Sequence, residues 1–143
     1  HLRNSEERYD LIYMDVFDHL LTVPWTMVTV EALTAMADHL EPDGLFVVNV
    51  LSPLAGPGLA FIERFQATLD EVFPTWVIYP ATPDQDATAT QNLIVVAGLD
   101  PQALPDVDWP LADTGPAGRP LTDAWAPVEY LQAKVFLAGL KWN

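Results

Sequence analysis

Two aspartates follow an apolar run near the start of the chain, at a spacing that could place both in one crevice. The run LIYM at 11–14 is followed by Asp15, and Asp18 lies three residues further on. A continuous apolar run is typical of a buried parallel strand, and in open α/β sheets ligands bind beyond the carboxyl ends of such strands. We therefore expect Asp15 at the rim of a sheet and Asp18 on the loop after it. There the carboxylates could hold a cationic substrate or take a proton from a nucleophile.

Other interpretations of these and nearby residues stay open at this point. The two aspartates could instead cap a strand end and a turn, as aspartate often does. His19 could act as an acid or base, or as a metal ligand. The chain has only three histidines, at positions 1, 19 and 39, without an HxH or HxxxH spacing, so we expect no metal site. Trp25 and Tyr79 could line a pocket near strand ends, although aromatic residues there often belong to the core.

The composition is that of a globular, acidic domain. Of its 143 residues 50% are hydrophobic, and the net charge is −14, from 6 Lys and Arg against 20 Asp and Glu. Phosphate binding needs a basic surface, so nucleic acid is not an expected partner. The chain lacks cysteine, which excludes thiolate chemistry and disulfides within it. It contains no apolar run of membrane-spanning length and no recognisable signal peptide at its start.

The hydrophobic periodicity predicts alternating strands and helices in one domain. Strands are expected at 9–15, 45–51, 75–79 and 92–97, and helices at 30–40, 57–73 and 127–140. The first helix should begin at Thr26 or Thr29 and end before a Glu41-Pro42-Asp43-Gly44 turn. Strand and helix alternation implies right-handed parallel crossovers. The polar loop at 80–90 is too short for a crossover, so the last two strands should form an antiparallel hairpin.

Two motifs identify a family. The segment YDLIYMDVFD at 9–18, followed by LEPDGLFVVNV at 40–50, resembles the spermidine synthase-like aminopropyltransferases, which have the class I methyltransferase (Rossmann-like) fold. The segment LTDAWAPVEYL at 121–131 is similar to the C-terminal LTDDxAPVExL signature of that family. The resemblance implies an α/β, three-layer fold with a mixed sheet that contains parallel strands and a C-terminal antiparallel hairpin. We expect Asp123 and Glu129 to have a structural role, tying the tail to the sheet.

The resemblance also implies a reaction and the residues for it. In the family, the amine of a diamine such as putrescine displaces methylthioadenosine from decarboxylated S-adenosylmethionine. Asp15 matches the catalytic carboxylate, which also lies against this co-substrate, and Asp18 matches a second aspartate that helps to hold the amine. Asn49 lies where the family often has a glutamine near the substrate, and His19 replaces its usual proline. Asn49, Trp25 and His19 are therefore expected to contact the substrate.

Only the C-terminal half of the family's catalytic domain is matched. The Gly-rich loop, the ribose-binding acid and the adenine-contacting residues belong to the preceding half. We therefore expect residues 1–143 alone to bind no cofactor and to be inactive, and the nucleoside co-substrate to bind only in the intact protein. The expected location is the cytoplasm, as a soluble protein or as the soluble part of a longer, membrane-fused one.

Two other functions remain compatible with these residues. One is methyl transfer from S-adenosylmethionine by the same fold, and the other is a noncatalytic α/β module for partner binding. In the class I order the strand at 9–15 normally pairs with the first strand of the fold, which these residues lack. Its apolar edge would be bare, and we expect a homodimer through that edge.

Overall fold

The computed structural model describes residues 7–15 and 24–139. Asp18 and His19 lie outside the described residues, so their predicted roles stay predictions. The described chain forms four strands and three helices in the predicted order: β1 Tyr9–Met14, α1 Val30–Ala37, β2 Leu40–Ser52, α2 Ala60–Val72, β3 Thr75–Pro80, β4 Gln91–Gly98 and α3 Val128–Gly139. Within these ranges, no helix combines the length and apolar character needed to cross a membrane.

The strands form one mixed sheet in the order β1-β2-β4-β3. β1 is parallel to β2, while β4 is antiparallel to both β2 and β3. This confirms the mixed sheet and the antiparallel hairpin. The hairpin loop contains its own turn, in which Asp86 Oδ1 accepts hydrogen bonds from the backbone N–H and the hydroxyl of Thr88, both at 2.8 Å. These bonds lower the pKa of Asp86 because they stabilise its charged form.

The two faces of the sheet differ in burial. Side chains alternate between the faces along each strand. On one face, Phe46, Val48 and Val50 of β2 join Leu33 of α1 and Phe65 of α2 in the buried core. On the opposite face, the side chains near β1 are less covered, and both Leu11 and Tyr13 are more than half exposed. The helical layer therefore covers the first face, and the second face carries half-buried side chains.

The structure does not have the separate turn at Glu41–Gly44 that the sequence predicted. These residues lie inside β2, which begins at Leu40 and bulges there, because Tyr9 pairs with Leu40 while Leu11 pairs with Leu45. At Gly44 a Cβ atom would be 2.8 Å from the carbonyl oxygen of Tyr9, so the close passage of the two backbones excludes a side chain. Leu40 is buried as predicted, but as the first residue of the strand rather than the last of the helix.

The N-terminus of α1 is fixed by the C-terminal signature. Thr29, one of the two predicted caps, accepts a hydrogen bond from Ala32 N through its Oγ1 at 3.2 Å. The same hydroxyl donates to Asp123 Oδ1 at 2.7 Å, and Asp123 N donates to Glu31 Oε2 at 2.9 Å. Asp123 therefore ties the tail to the start of α1, whereas the sequence predicted contact with the sheet.

Replacing Thr29 by valine should lower the free energy of unfolding by about 1–2 kcal/mol, because the helix loses its cap and Asp123 loses the hydrogen bond from the Thr29 hydroxyl. Thr29 is fully buried, so water cannot replace either bond. Urea unfolding followed by circular dichroism measures the change. The matched control is Thr34→Val at an exposed position of the same helix, which should change the free energy by less than about 0.5 kcal/mol. Equal effects of the two substitutions would contradict the capping role.

The segment between β4 and α3, residues 99–127, is called the tail here. It first runs beside β3, where Ala112 N donates to Ile78 O at 2.8 Å and Trp109 Nε1 donates to Pro80 O at 2.8 Å. It then runs along α2, with bonds from Thr114 to Gln66 and from Leu121 N to Thr68 Oγ1. The tail thus covers the β3 edge of the sheet, and β1 forms the other edge.

Candidate functional site

The carboxyl end of β1 brings Asp15 beside Asn49 of β2. Met14 of β1 pairs with Val48 of β2, so the next residue of each strand lies side by side at the rim of the sheet. Asn49 Nδ2 donates a hydrogen bond to Asp15 Oδ1 at 3.2 Å. Asp15 itself is exposed and Asn49 is half-buried. The structure therefore places Asp15 at a solvent-accessible rim and joins it to Asn49.

The amide of Asn49 has one unused group. Its Oδ1 atom is buried, and no donor among the described residues reaches it. The opposite placement of the amide would turn oxygen towards the carboxylate, where the two would repel each other, so the orientation with Nδ2 on Asp15 is the favourable one. A buried acceptor without a donor is costly unless a ligand or water supplies one. The amide thus holds Asp15 through its nitrogen and keeps a buried acceptor oxygen without a donor among the described residues.

Tyr13 is a neighbour of this pair that the sequence did not single out. The pKa of its phenol is raised, first by loss of surrounding water and then by Asp15, whose charge repels a phenolate and which accepts a hydrogen bond from the phenol. Tyr13 therefore remains a neutral donor through neutral pH. The sequence could have indicated Tyr13, because it lies two residues before Asp15 and alternate residues of a strand share a face.

Asp15→Asn should lower the pKa of Tyr13, because the substitution removes the negative charge that opposes ionisation. The pKa should stay above its ordinary value of about 10, since the loss of water around the phenol is the larger cause. Titration of the ring carbon resonance by NMR, assigned with Tyr13→Phe, measures it. An unchanged pKa in Asp15→Asn would show that the two side chains do not interact.

The same row of the sheet continues into an apolar groove. Asn49 pairs with Ile94 of β4, and Ile94 pairs with Tyr79 of β3, so the three side chains share one face. Ile94 and Tyr79 line a groove of about 280 Å³ whose other walls come from the start of the hairpin loop and from the tail: Pro80, Ala81, Val107 and Trp109. The structure therefore places Tyr79 in a groove, and it adds Ile94, which the sequence analysis missed because its position depends on strand register.

Within the described residues, Trp25 is the remaining predicted site residue, and no hydrogen bond joins it to this pair. Trp25 lies in a 3-10 turn, Trp25–Met27, and is 37% exposed. The hydrogen bonds of the described residues do not connect its indole to Asp15 or Asn49, so its contact with substrate stays a prediction. In residues 7–15 and 24–139, no group of three His, Asp or Glu side chains could hold a metal ion.

Comparisons with known proteins agree with this arrangement. No family model matches the chain. Over 72 residues, half of this chain, it is 33% identical to a probable polyamine aminopropyl transferase of Bifidobacterium longum, and covers 16% of that protein. This match supports the resemblance to the spermidine synthase-like family seen in the sequence motifs.

Two solved structures share the fold. Human methyltransferase-like protein 13, in complex with SAH, matches 73% of this chain with a TM-score of 0.56 and 25% identity. A probable spermidine synthase from Corynebacterium glutamicum matches 88% of it with a TM-score of 0.55 and 18% identity. The chain spans 46% and 44% of those two proteins. The resemblance to the spermidine synthase-like family is thus confirmed, and the fold is that of the class I methyltransferases.

Proposed function

We propose that this chain provides the amine-binding side of an aminopropyl transfer. The observation that supports it best is the hydrogen bond from Asn49 Nδ2 to the exposed Asp15 carboxylate, in an amide whose buried Oδ1 has no donor among the described residues. An alkylammonium has several N–H donors and a positive charge, so it could donate to both oxygens at once. The acidic chain, with its net charge of −14, would also attract such a cation.

The chemistry requires a base at this position. An ammonium has no lone pair, so it must lose a proton before its nitrogen can attack. Asp15 would accept that proton, and Asn49 would hold the amine through a second hydrogen bond. The nitrogen lone pair then forms a bond to the propyl carbon of decarboxylated S-adenosylmethionine. The carbon–sulfur bond breaks as this happens, and methylthioadenosine leaves with the bonding electrons.

The residues present fit the amine better than the nucleoside. Asp15 could also lie against the positively charged sulfur centre of the co-substrate, since a carboxylate at the strand end suits a cation. The two partners of the reaction would thus meet at one carboxylate. We propose that this chain corresponds to the C-terminal half of the catalytic domain, and that residues of the N-terminal half complete the nucleoside pocket. Asp18, His19 and Trp25 are proposed to complete the amine site.

Methyl transfer is the second candidate, because the human methyltransferase-like protein of the same fold was solved with SAH. The nucleoside product separates the two reactions. The intact protein is incubated with putrescine and with either decarboxylated S-adenosylmethionine or S-adenosylmethionine, and the products are identified by mass spectrometry. Methylthioadenosine with spermidine supports the proposal, whereas S-adenosylhomocysteine indicates methyl transfer. If neither product forms, the result would favour a noncatalytic module.

We also propose that the chain forms a homodimer through the edge of β1. Leu11 and Tyr13 are 56% and 57% exposed on this edge strand, and the tail covers the other edge of the sheet. Unpaired strand edges with apolar side chains favour pairing with another chain.

Light scattering of this chain should give the mass of a dimer. Leu11→Lys should give a monomer, because a lysine on an edge strand opposes pairing. Leu111→Lys, at a tail position that is 58% exposed, is the matched control and should leave the dimer intact. A monomeric wild-type chain at high concentration would refute this proposal.

A further inference from the structure

Two arginines meet at one tryptophan on the helical side of the molecule. Arg64 belongs to α2, whereas Arg119 and Trp125 belong to the tail. The guanidinium carbon of Arg64 lies 4.9 Å from the centroid of the Trp125 ring, and that of Arg119 lies 5.2 Å from it. We call these three residues the arginine cluster. It involves neither Asp15 nor Asn49, so any role of the cluster is independent of the proposed function.

The surrounding backbone fixes the position of the cluster. Ala117 N donates to Glu63 O at 3.2 Å, and Arg64 Nη1 donates to Arg119 O at 3.3 Å. Gly118 passes directly beside Arg64, where a Cβ atom would be 2.7 Å from Nη1, and its φ of +79° also favours glycine. The two guanidinium groups are thus held against the same ring before any ligand arrives, which lowers the cost of binding one.

The charges in the cluster have no carboxylate in direct contact among the described residues. The chain has 20 acidic and only 6 basic residues, yet two of the six lie over the same ring. Among the described residues, the contacts of the two guanidinium groups are with that ring and one backbone carbonyl, and include no carboxylate. Two neighbouring cations repel each other. An anion that contacts both guanidinium groups would reduce this repulsion.

The guanidinium edges are suited to such an anion. A guanidinium that stacks on an indole uses its flat face, so the N–H donors at its edge remain available. Each guanidinium has five donors in a planar fork that matches two oxygens of one anion. Arg64 is half-buried and Arg119 is exposed, so a ligand can approach from solvent. We infer that the arginine cluster is a binding site for a doubly charged oxyanion of the phosphoryl type.

The test titrates the 143-residue chain with inorganic phosphate at constant ionic strength, because surface charge interactions weaken with salt. The readout is the indole N–H resonance of Trp125, assigned with Trp125→Phe. We expect a saturable shift of this resonance at millimolar phosphate. Arg119→Gln should weaken binding about tenfold or more through the loss of charge-assisted hydrogen bonds. Arg119→Lys should weaken it as well, because lysine keeps the charge but loses the fork.

The matched control is Gln102→Glu in the 3-10 turn Pro101–Ala103, where the side chain is exposed. This substitution lowers the net charge by the same amount as Arg119→Gln but leaves the cluster unchanged, so phosphate affinity should be retained. Arg64→Gln is the second cluster variant. Because Arg64 also bonds the tail at Arg119 O, the melting temperature of this variant shows whether the substitution destabilises the fold. No saturable shift in the wild-type chain, or equal affinities of wild type and Arg119→Gln, would overturn the inference.

Discussion

Replacing Asp15 by asparagine should lower the rate of transfer by the intact protein by about 10²- to 10⁴-fold, the usual contribution of a positioned general base. Asparagine has nearly the same shape as aspartate, but it cannot accept the ammonium proton or balance the charge. It could still contact Asn49, so the rim of the sheet should stay folded. The measurement is the formation of spermidine from putrescine at saturating co-substrate. The affinity for putrescine, measured by isothermal titration, should fall as well.

The control for this variant is Asp10→Asn on the same strand. Asp10 is exposed on β1, and the substitution changes the net charge by the same amount. Because Asp10 precedes Asp15 by five residues, its loss should change the rate by less than about threefold. If Asp15→Asn also retained nearly full activity while remaining folded, Asp15 would not be the base. The proposed amine site would then be wrong in its main residue.

Replacing Phe46 by alanine should lower the free energy of unfolding by about 3–5 kcal/mol, the range for removing a buried phenylalanine. Phe46 is fully buried on β2, and its ring stacks on Phe73 with centroids 5.7 Å apart and an interplanar angle of 3°. The cross-strand partners of Phe46 are Ile12 on β1 and Ala97 on β4. The cavity would thus open in the middle of the sheet, where the backbone cannot easily collapse.

Urea denaturation followed by circular dichroism measures this loss. The matched control is Leu111→Ala, which truncates an apolar side chain that is 58% exposed and should change stability by less than about 0.5 kcal/mol. If Phe46→Ala does not fold, Phe46→Leu gives a graded version with an expected loss of about 1 kcal/mol. A loss below about 1 kcal/mol in Phe46→Ala would show that the ring does not fill the core as described.

Local patterns predicted the elements of the fold well. The predicted strand at 75–79 differs from β3 by one residue at one end. The predicted strand at 92–97 and the last helix each differ from the structure by one residue at both ends. These elements are defined by periodicity and by proline and glycine signals that act within a few residues. The second helix begins at Ala60 rather than at Pro57, because residues 57–59 form a turn before it.

Features that depend on distant partners were not predictable from these patterns. The bulge in β2 exists because Tyr9 pairs with Leu40, which lies far from it in the sequence. The contact of Asp123 with Thr29 requires the tail to reach the start of α1. In the site, the motifs indicated Asp15 and Asn49, but the donor-free oxygen of Asn49 depends on the parallel register of β1 and β2. Sequence therefore indicated the residues of the pair, and register determined their geometry.

The cover that the tail forms over β3 limits how copies of this sheet could add to one another. Because Ala112 and Trp109 donate hydrogen bonds to the backbone of β3, that margin cannot easily accept an incoming strand. Growth into a fibril requires two unpaired sheet edges on every copy, because each added copy must offer an edge to the next one. A molecule with one unpaired edge can pair with only one other copy, and assembly then stops. If the β1 edge pairs as proposed, the tail would therefore limit assembly to two copies and prevent polymerisation.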